Sequence, residues 1–250
     1  MSFHVIIPAR LQSSRLPGKV LLDIAGRPML QHVYDRACES GASSVLIATD
    51  DDRVAVAAAQ WGADVCMTQS THLTGTDRLA EAVQRRSYVA DDIIVGLQAD
   101  EPLIPPENIQ QVAANVQRYP QARVATLSEA LRSSEALFDP NVVKVVTDKD
   151  GYALYFSRAP IPWDRNTFAT KQSPVSFAAY HRHVGLYAYR AAFLKTYVEW
   201  AVAPMESLEC LEQLRILFQG EKIHVAEAVC PPGVGVDTPQ DLARVRACFS

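Results

Sequence analysis

Short runs of β-branched residues alternate with amphipathic, helix-length segments along the first half of this chain, and a parallel sheet with crossover helices reads this way in sequence. Val5-Ile6-Ile7 and Val45 to Thr49 read as buried strands, and Ile93 to Leu97 as a central one. Between them, Pro28 to Ser40 reads as a helix with Met29, Leu30, Val33 and Ala37 on one face, Pro28 in its first turn and Gly41 just past its end. Asp51 to Gln60 and Asp77 to Arg86 supply two more helices, and Pro106 opens another carrying Ile109, Val112, Ala113 and Val116. The pattern predicts an α/β protein with a mostly parallel central sheet and flanking helices.

From about residue 123 the strand signals change style. Val142 to Val146, Ala153 to Phe156 and His183 to Tyr189 are separated by longer, proline-bearing connections, which predicts a smaller second lobe with a mixed sheet. Helices are expected at roughly Arg190 to Trp200 and Ser207 to Phe218. The last helix begins at Thr238-Pro239-Gln240-Asp241, where Thr238 caps, Pro239 fits the first helical position and Asp241 completes a capping box. No internal repeat and no Gly/Ser-rich linker divides the 250 residues, which suffice for one large core. The expectation is a single domain over 1–250 with two halves, about 1–125 and about 126–235, and a closing helix over 236–250.

The chain carries 24 Lys and Arg against 28 Asp and Glu, a net charge of −4. It therefore lacks the basic field that holds polyanionic nucleic acid, and no nucleic-acid partner is expected. No uncharged stretch approaches the roughly 18 residues of a membrane span, and the amino terminus lacks a basic segment followed by a long apolar one; no membrane partner and a cytoplasmic location are expected. The cysteines, Cys38, Cys66, Cys210, Cys230 and Cys248, are widely spaced and form no Cys-x-x-Cys pair, which reads as reduced, mostly buried thiols.

The loop leaving the first strand, Ile7 to Lys19, places Arg10, Arg15 and Lys19 within ten residues. In a parallel sheet, ligands bind outside the carboxyl ends of the strands, so these cations, with Ser13 and Ser14 as further donors, stand where a polyphosphate would lie. The loop matches neither the Walker pattern nor the dinucleotide glycine motif. The residues alone fit a phosphate cradle or a solvated surface loop equally. Asp100 follows the central strand and Asp237 lies in a glycine-bearing turn; two carboxylates from distant turns suit Mg²⁺, which takes oxygen ligands and shares them with substrate phosphates. Read blandly, Asp100 is a turn residue and Asp237 a charge beside a helix amino end.

Pro8-Ala9-Arg10 followed by Ser13-Ser14-Arg15-Leu16-Pro17-Gly18-Lys19 resembles the signature loop of sugar nucleotidyltransferases, specifically the 3-deoxy-manno-octulosonate (KDO) cytidylyltransferases. The resemblance runs nearly end to end, through Ala48-Thr49-Asp50, Gly75-Thr76-Asp77-Arg78, Asp100-Glu101-Pro102, Tyr152 to Arg158, Ile161-Pro162-Trp163, Leu211 to Arg215 and Gly235-Val236-Asp237-Thr238-Pro239. Each block alone is weak; in this order they are specific.

The resemblance implies a Rossmann-like nucleotidyltransferase fold that moves CMP from CTP to the 2-hydroxyl of KDO, releasing diphosphate, for lipopolysaccharide assembly. It implies that Arg15, Lys19, Asp100 and Asp237 are catalytic, with Asp100 and Asp237 holding Mg²⁺. Ala9, Arg10, Ser13, Ser14, Arg15, Lys19, Thr74, Gly75, Arg78 and Gln98 are then expected against CTP. Arg158, Arg165, His183, Tyr187, Glu212 and Gln213 are expected around the acidic sugar, and a homodimer is expected. Two other readings remain: a cytidylyltransferase for another acidic sugar (sialic acid or an amino-substituted KDO), and a nucleotide-binding regulator without chemistry. One departure bears on the second. The family usually has glycine between the matching Gln and Asp, whereas this chain has Ala99; if that position required positive φ, a methyl group would strain the turn. The stretch from Asn166 to Tyr180 matches poorly and is expected to be a variable loop.

Overall fold

A computed structural model describes residues 2–13, 15–72, 74–168 and 176–249. The chain runs β1 (His4–Ala9), β2 (Asp23–Ile24), β3 (Arg27–Pro28), α1 (Met29–Glu39), β4 (Ser44–Thr49), α2 (Asp52–Gln60), β5 (Asp64–Met67), α3 (Gly75–Arg85), β6 (Ile93–Gly96) and α4 (Pro106–Arg118). It continues with β7 (Val124–Ala130), α5 (Ser134–Phe138), β8 (Lys144–Thr147), β9 (Ala153–Ser157), α6 (Arg165–Phe168), β10 (His181–Arg190), α7 (Ala191–Tyr197), α8 (Pro204–Glu209), α9 (Gln213–Phe218), β11 (Ile223–Glu227) and α10 (Pro239–Ala247).

The main sheet has the order β11-β7-β10-β6-β1-β4-β5, with β8 pairing β10 and β9 pairing β8. β1 is parallel to both β4 and β6, and β4 to β5, while β10 enters antiparallel between β6 and β7. The expected parallel core and mixed second region are thus one continuous sheet, with β8 and β9 as its antiparallel offshoot. The alternation along β1 shows why both faces are covered: Val5, Ile7 and Ala9 join the core cluster that includes Leu30 and Val33 of α1 and Val112 of α4, whereas Ile6 joins Leu79 and Val83 of α3 with Phe193 of α7. A period of two sends neighbouring side chains to opposite faces, so a strand in the middle of a doubly covered sheet must be apolar throughout.

The helices bend the expectations at one place. Ser207 to Phe218 is not one helix: α8 ends at Cys210, which takes φ 51 and ψ 49, and α9 starts only at Gln213. A non-glycine residue in that left-handed region terminates a helix as an αL cap. The break turns Leu211, Glu212 and Gln213 towards the cleft described below. The capping box of Thr238 and Asp241 forms as expected, with Asp241 N donating to Thr238 Oγ1 (3.2 Å) and Thr238 N to Asp241 Oδ2 (2.9 Å).

His224 on β11 is 3% exposed and stacks on Tyr119 with ring centroids 3.5 Å apart. Burial, reinforced by nearby Arg118, pushes its pKa down to about 4. The unfolded chain protonates this ring near pH 6.5, so the stability it lends is complete above that pH and is lost as pH falls from about 6.5 to about 4. Denaturant melts at pH 7 and pH 5 should show a smaller acid loss in His224→Phe than in the parent, by on the order of 2 kcal/mol; identical losses would contradict the burial of a neutral ring.

Candidate active site

The carboxyl ends of β1, β4 and β6 lie on one edge of the sheet because the three strands are parallel. The loop after β1 and the turn after β6 therefore meet there, and a cleft of about 780 Å³ opens between them. Gly18 has φ 69, a backbone conformation glycine adopts without steric cost, and it sets the Lys19–Leu21 turn that aims Lys19 at the cleft. Lys19 Nζ lies 2.5 Å from Asp100 Oδ2 and 3.1 Å from Asp237 Oδ1, and it also donates to Val236 O (3.3 Å). Arg15 reaches the same Asp237 oxygen at 2.9 Å. Val236 N donates to Asp100 O (2.8 Å), which ties the turn carrying Asp237 to the end of β6. Gly233, just before this turn, cannot carry a side chain, since a Cβ there would fall 2.6 Å from the Leu103 carbonyl oxygen.

Burial alone would lower the Lys19 pKa, yet Asp100 and Asp237 outweigh it and hold the ammonium above its ordinary value. Burial, with Asp100 beside it, pushes the neighbouring Glu101 carboxyl up to about 8. Two carboxylates already share one cation, so the donor set suits a divalent metal: hard oxygen ligands converging from two turns, with the rest of the coordination left to phosphate and water.

Arg10, Ser13, Thr74, Gly75, Arg78 and Gln98 line the same cleft, as expected for the nucleotide side. Ala9 is buried at the end of β1, just before them. Ser14 lies outside the described residues, as does part of the expected variable loop. The α3 amino terminus is held by a capping box in which Asp77 N donates to Thr74 Oγ1 (3.1 Å) and Thr74 N to Asp77 Oδ2 (3.2 Å). Arg78 is buried against Asp50, 3.2 Å away. Ala99 also lines the cleft and is not among the positive-φ residues, so the methyl group in place of glycine brings no backbone strain.

Of the residues expected around the sugar, Glu212 and Gln213 line the cleft. Tyr187 is buried behind them in a narrow crevice it shares with both. Three polar atoms there make no hydrogen bond of good geometry among the described residues: Tyr187 Oη, Glu212 Oε2 and Gln213 Nε2. Buried polar groups are nearly always paired, so this cluster marks a place completed by something else. Arg158, Arg165 and His183 do not line the cleft as it stands. The Arg158 guanidinium donates to the carbonyls of Glu209 (2.6 Å) and Pro140 (2.8 Å), and His183 Nε2 lies 3.0 Å from Thr126 Oγ1. Arg165 opens α6 on the exposed surface.

Sequence reasoning missed several polar side chains of the cleft, Asp77, His72, Glu206 and Arg215 among them. His72 lines the cleft and pairs with Glu81 on α3. Glu206 and Arg215 also line it, joined by bonds of 2.8 and 2.6 Å, with side chains only 8% and 6% exposed. Neither pair falls at the three- or four-residue spacing by which helical ion pairs are recognised.

Comparison with known proteins identifies the family. The profile of the cytidylyltransferase family matches residues 4–223. A 3-deoxy-manno-octulosonate cytidylyltransferase of Vibrio parahaemolyticus is 56% identical over 99% of this chain and 98% of its own length. The enzyme of the same name from Aeromonas hydrophila is 55% identical over the whole of both chains. A solved structure of CMP:2-keto-3-deoxy-manno-octonic acid synthetase complexed with CTP superposes with a TM-score of 0.88 at 44% identity, covering 99% of this chain and 98% of the other.

Removing one partner of a buried ion pair strands the other charge, at a cost of about 3 kcal/mol or more. Arg215→Met should lose stability on that scale in urea melts, and Arg215→Met with Glu206→Leu should recover much of it. A single variant as stable as the parent would contradict the burial of the pair.

Proposed function

The chain belongs to the cytidylyltransferase family and transfers the CMP group of CTP to 3-deoxy-manno-octulosonate, giving CMP-KDO and diphosphate, and on that premise we propose how its residues divide the work. The 2-hydroxyl of KDO attacks the α-phosphorus of CTP in line; a new P–O bond forms, the bond to diphosphate breaks, and the hydroxyl proton is lost to solvent. Little covalent chemistry falls to the protein, so positioning and charge neutralisation carry the rate. Arg10, Arg15 and Ser13 cradle the β- and γ-phosphates, and Lys19, freed from the carboxylates, neutralises charge on the departing diphosphate. Thr74, Gly75, Arg78 and Gln98 hold the nucleoside end. Glu212, Gln213 and Tyr187 grip the hydroxyls of the acceptor with the polar atoms that otherwise lack partners.

Asp100 and Asp237 are the residues that would hold Mg²⁺. Bound there, Mg²⁺ supplies Lewis-acid stabilisation of charge on the α-phosphate and lowers the pKa of the incoming hydroxyl. The observation that carries this division of roles is the convergence of both carboxylates on one cation, Lys19 Nζ, in the cleft that the phosphate loop lines. We extend the reading to a homodimer in the cytoplasm serving lipopolysaccharide assembly. Large apolar side chains left open at Leu154, Trp163 and Leu208 support the dimer. The cysteines are free, which supports a reducing compartment, but only Cys66 is buried; Cys38, Cys210 and Cys248 are exposed, against the expectation of mostly buried thiols. No helix among the described residues is long and apolar enough to cross a membrane.

Diphosphate release with CTP, Mg²⁺ and a panel of KDO, an amino-substituted KDO and sialic acid tests the acceptor; turnover should favour KDO, and an equal rate with sialic acid would contradict it. Asp100→Asn should lose about 10²-fold or more in kcat with its melting temperature kept, on the scale of removing one electrostatic stabiliser, and near-normal turnover would remove Asp100 from the metal site. Chelation should abolish release and added Mg²⁺ restore it.

A further inference from the structure

The acceptor-side carboxylate is already held on one side. Glu212 Oε1 accepts a hydrogen bond from the Thr76 hydroxyl at 2.9 Å, across 136 positions of sequence. Thr76 sits in the first turn of α3 and is 3% exposed. That helix end is capped by Thr74, so the Thr76 hydroxyl is not needed for capping. An apolar residue would fill such a buried position at less cost unless the hydroxyl had a use. Its flanking residues Gly75 and Asp77 line the nucleotide cleft, whereas Thr76 itself lines the crevice behind Glu212. Tyr197 Oη donates to the Glu212 backbone carbonyl (3.3 Å), fixing the main chain of the same residue. Burial pushes the Glu212 carboxyl up, and the Thr76 and Thr74 hydroxyls oppose that rise. With Oε1 committed to Thr76, Oε2 makes no hydrogen bond of good geometry among the described residues, and neither do Tyr187 Oη and Gln213 Nε2 in the same crevice.

We infer that Thr76 is a positioning residue: by holding Glu212 Oε1 it fixes the carboxylate so that Oε2 is presented to a hydroxyl of the acceptor, and it thereby makes acceptor binding depend on the helix end that meets CTP. The inference rests on the reading of Glu212 as an acceptor ligand given above. It connects two substrate subsites through one hydrogen bond between elements that are remote in sequence.

The test measures diphosphate release at varied KDO and varied CTP, together with calorimetric CTP binding, for Thr76→Val, Thr76→Ser and Glu212→Gln. Thr76→Val should raise the KM for KDO about tenfold and change CTP affinity less than about twofold, the scale of one hydrogen bond to a charged group. Thr76→Ser, which keeps the hydroxyl, should stay within about threefold of the parent. An unchanged KM for KDO in Thr76→Val beside a raised one in Glu212→Gln would overturn the role of Thr76 and leave that of Glu212 standing. An unchanged KM in Glu212→Gln would overturn the reading of Glu212 itself. Equal losses for CTP and KDO in Thr76→Val would reduce Thr76 to a packing role and overturn the inference as well. If Thr76→Val does not fold, Thr76→Ala carries the same comparison.

Discussion

Two carboxylates that face one another across a cleft repel unless a cation stands between them, and Lys19 is that cation here. Its ammonium bridges Asp100 and Asp237, and the turn bearing Asp237 is bonded to the backbone of Asp100. At about 4 Å the bare attraction of a unit-charge pair is roughly 4 kcal/mol at an effective dielectric near 20; desolvation of the lysine and solvent screening of the half-exposed Asp237 reduce it, and what remains draws three chain segments to one point. The parallel strands bring those segments to one edge; the charges decide how closely they meet. A lysine serves this purpose well because its compact charge on a flexible stem can give way to another cation and then turn to phosphate.

The end of the cleft assigned above to the acceptor follows a different logic. There the cost is carried by buried polar atoms without partners, at Tyr187, Glu212 and Gln213. The frame that holds them is over-determined: the Glu206–Arg215 pair is buried, and Arg215 lies 4.6 Å over the Tyr197 ring. A rigid shell around unsatisfied groups is how a site is kept ready for a polyhydroxylated ligand without collapsing onto itself.

How much of this was legible in the sequence differs by element. β1, β4 and β6 are central and apolar on both faces, so their runs stood out, as did α1 and α4 by periodicity. β5 was not legible because it is a short edge strand with only Cys66 buried, and its apolar run Val65-Cys66-Met67 is too short to stand out. The break at Cys210 had no glycine or proline to announce it. Among the residues that meet in the cleft, the cations of the first loop and Asp100 were legible because a strand end fixes where they lie and Asp237 because it sits in a glycine-bearing turn, and the family resemblance added Glu212 and Gln213. Arg158 was placed near the sugar by that resemblance, whereas its guanidinium here braces main-chain carbonyls. His72–Glu81 and Glu206–Arg215 depend on how helices and loops pack, which residue spacing does not encode.

Catalysis as proposed depends on Asp100 and Asp237 acting on a single cation, and metal binding reads that directly. Calorimetric titration of Mn²⁺ in the presence of CTP, on the parent, Asp100→Asn, Asp237→Asn and the double variant, separates one shared site from two independent ones. Each single variant should lose affinity about tenfold or more and the double variant should lose less than the product of the two, because coupled ligands are not additive. Parent-like affinity in either single variant would contradict the shared site.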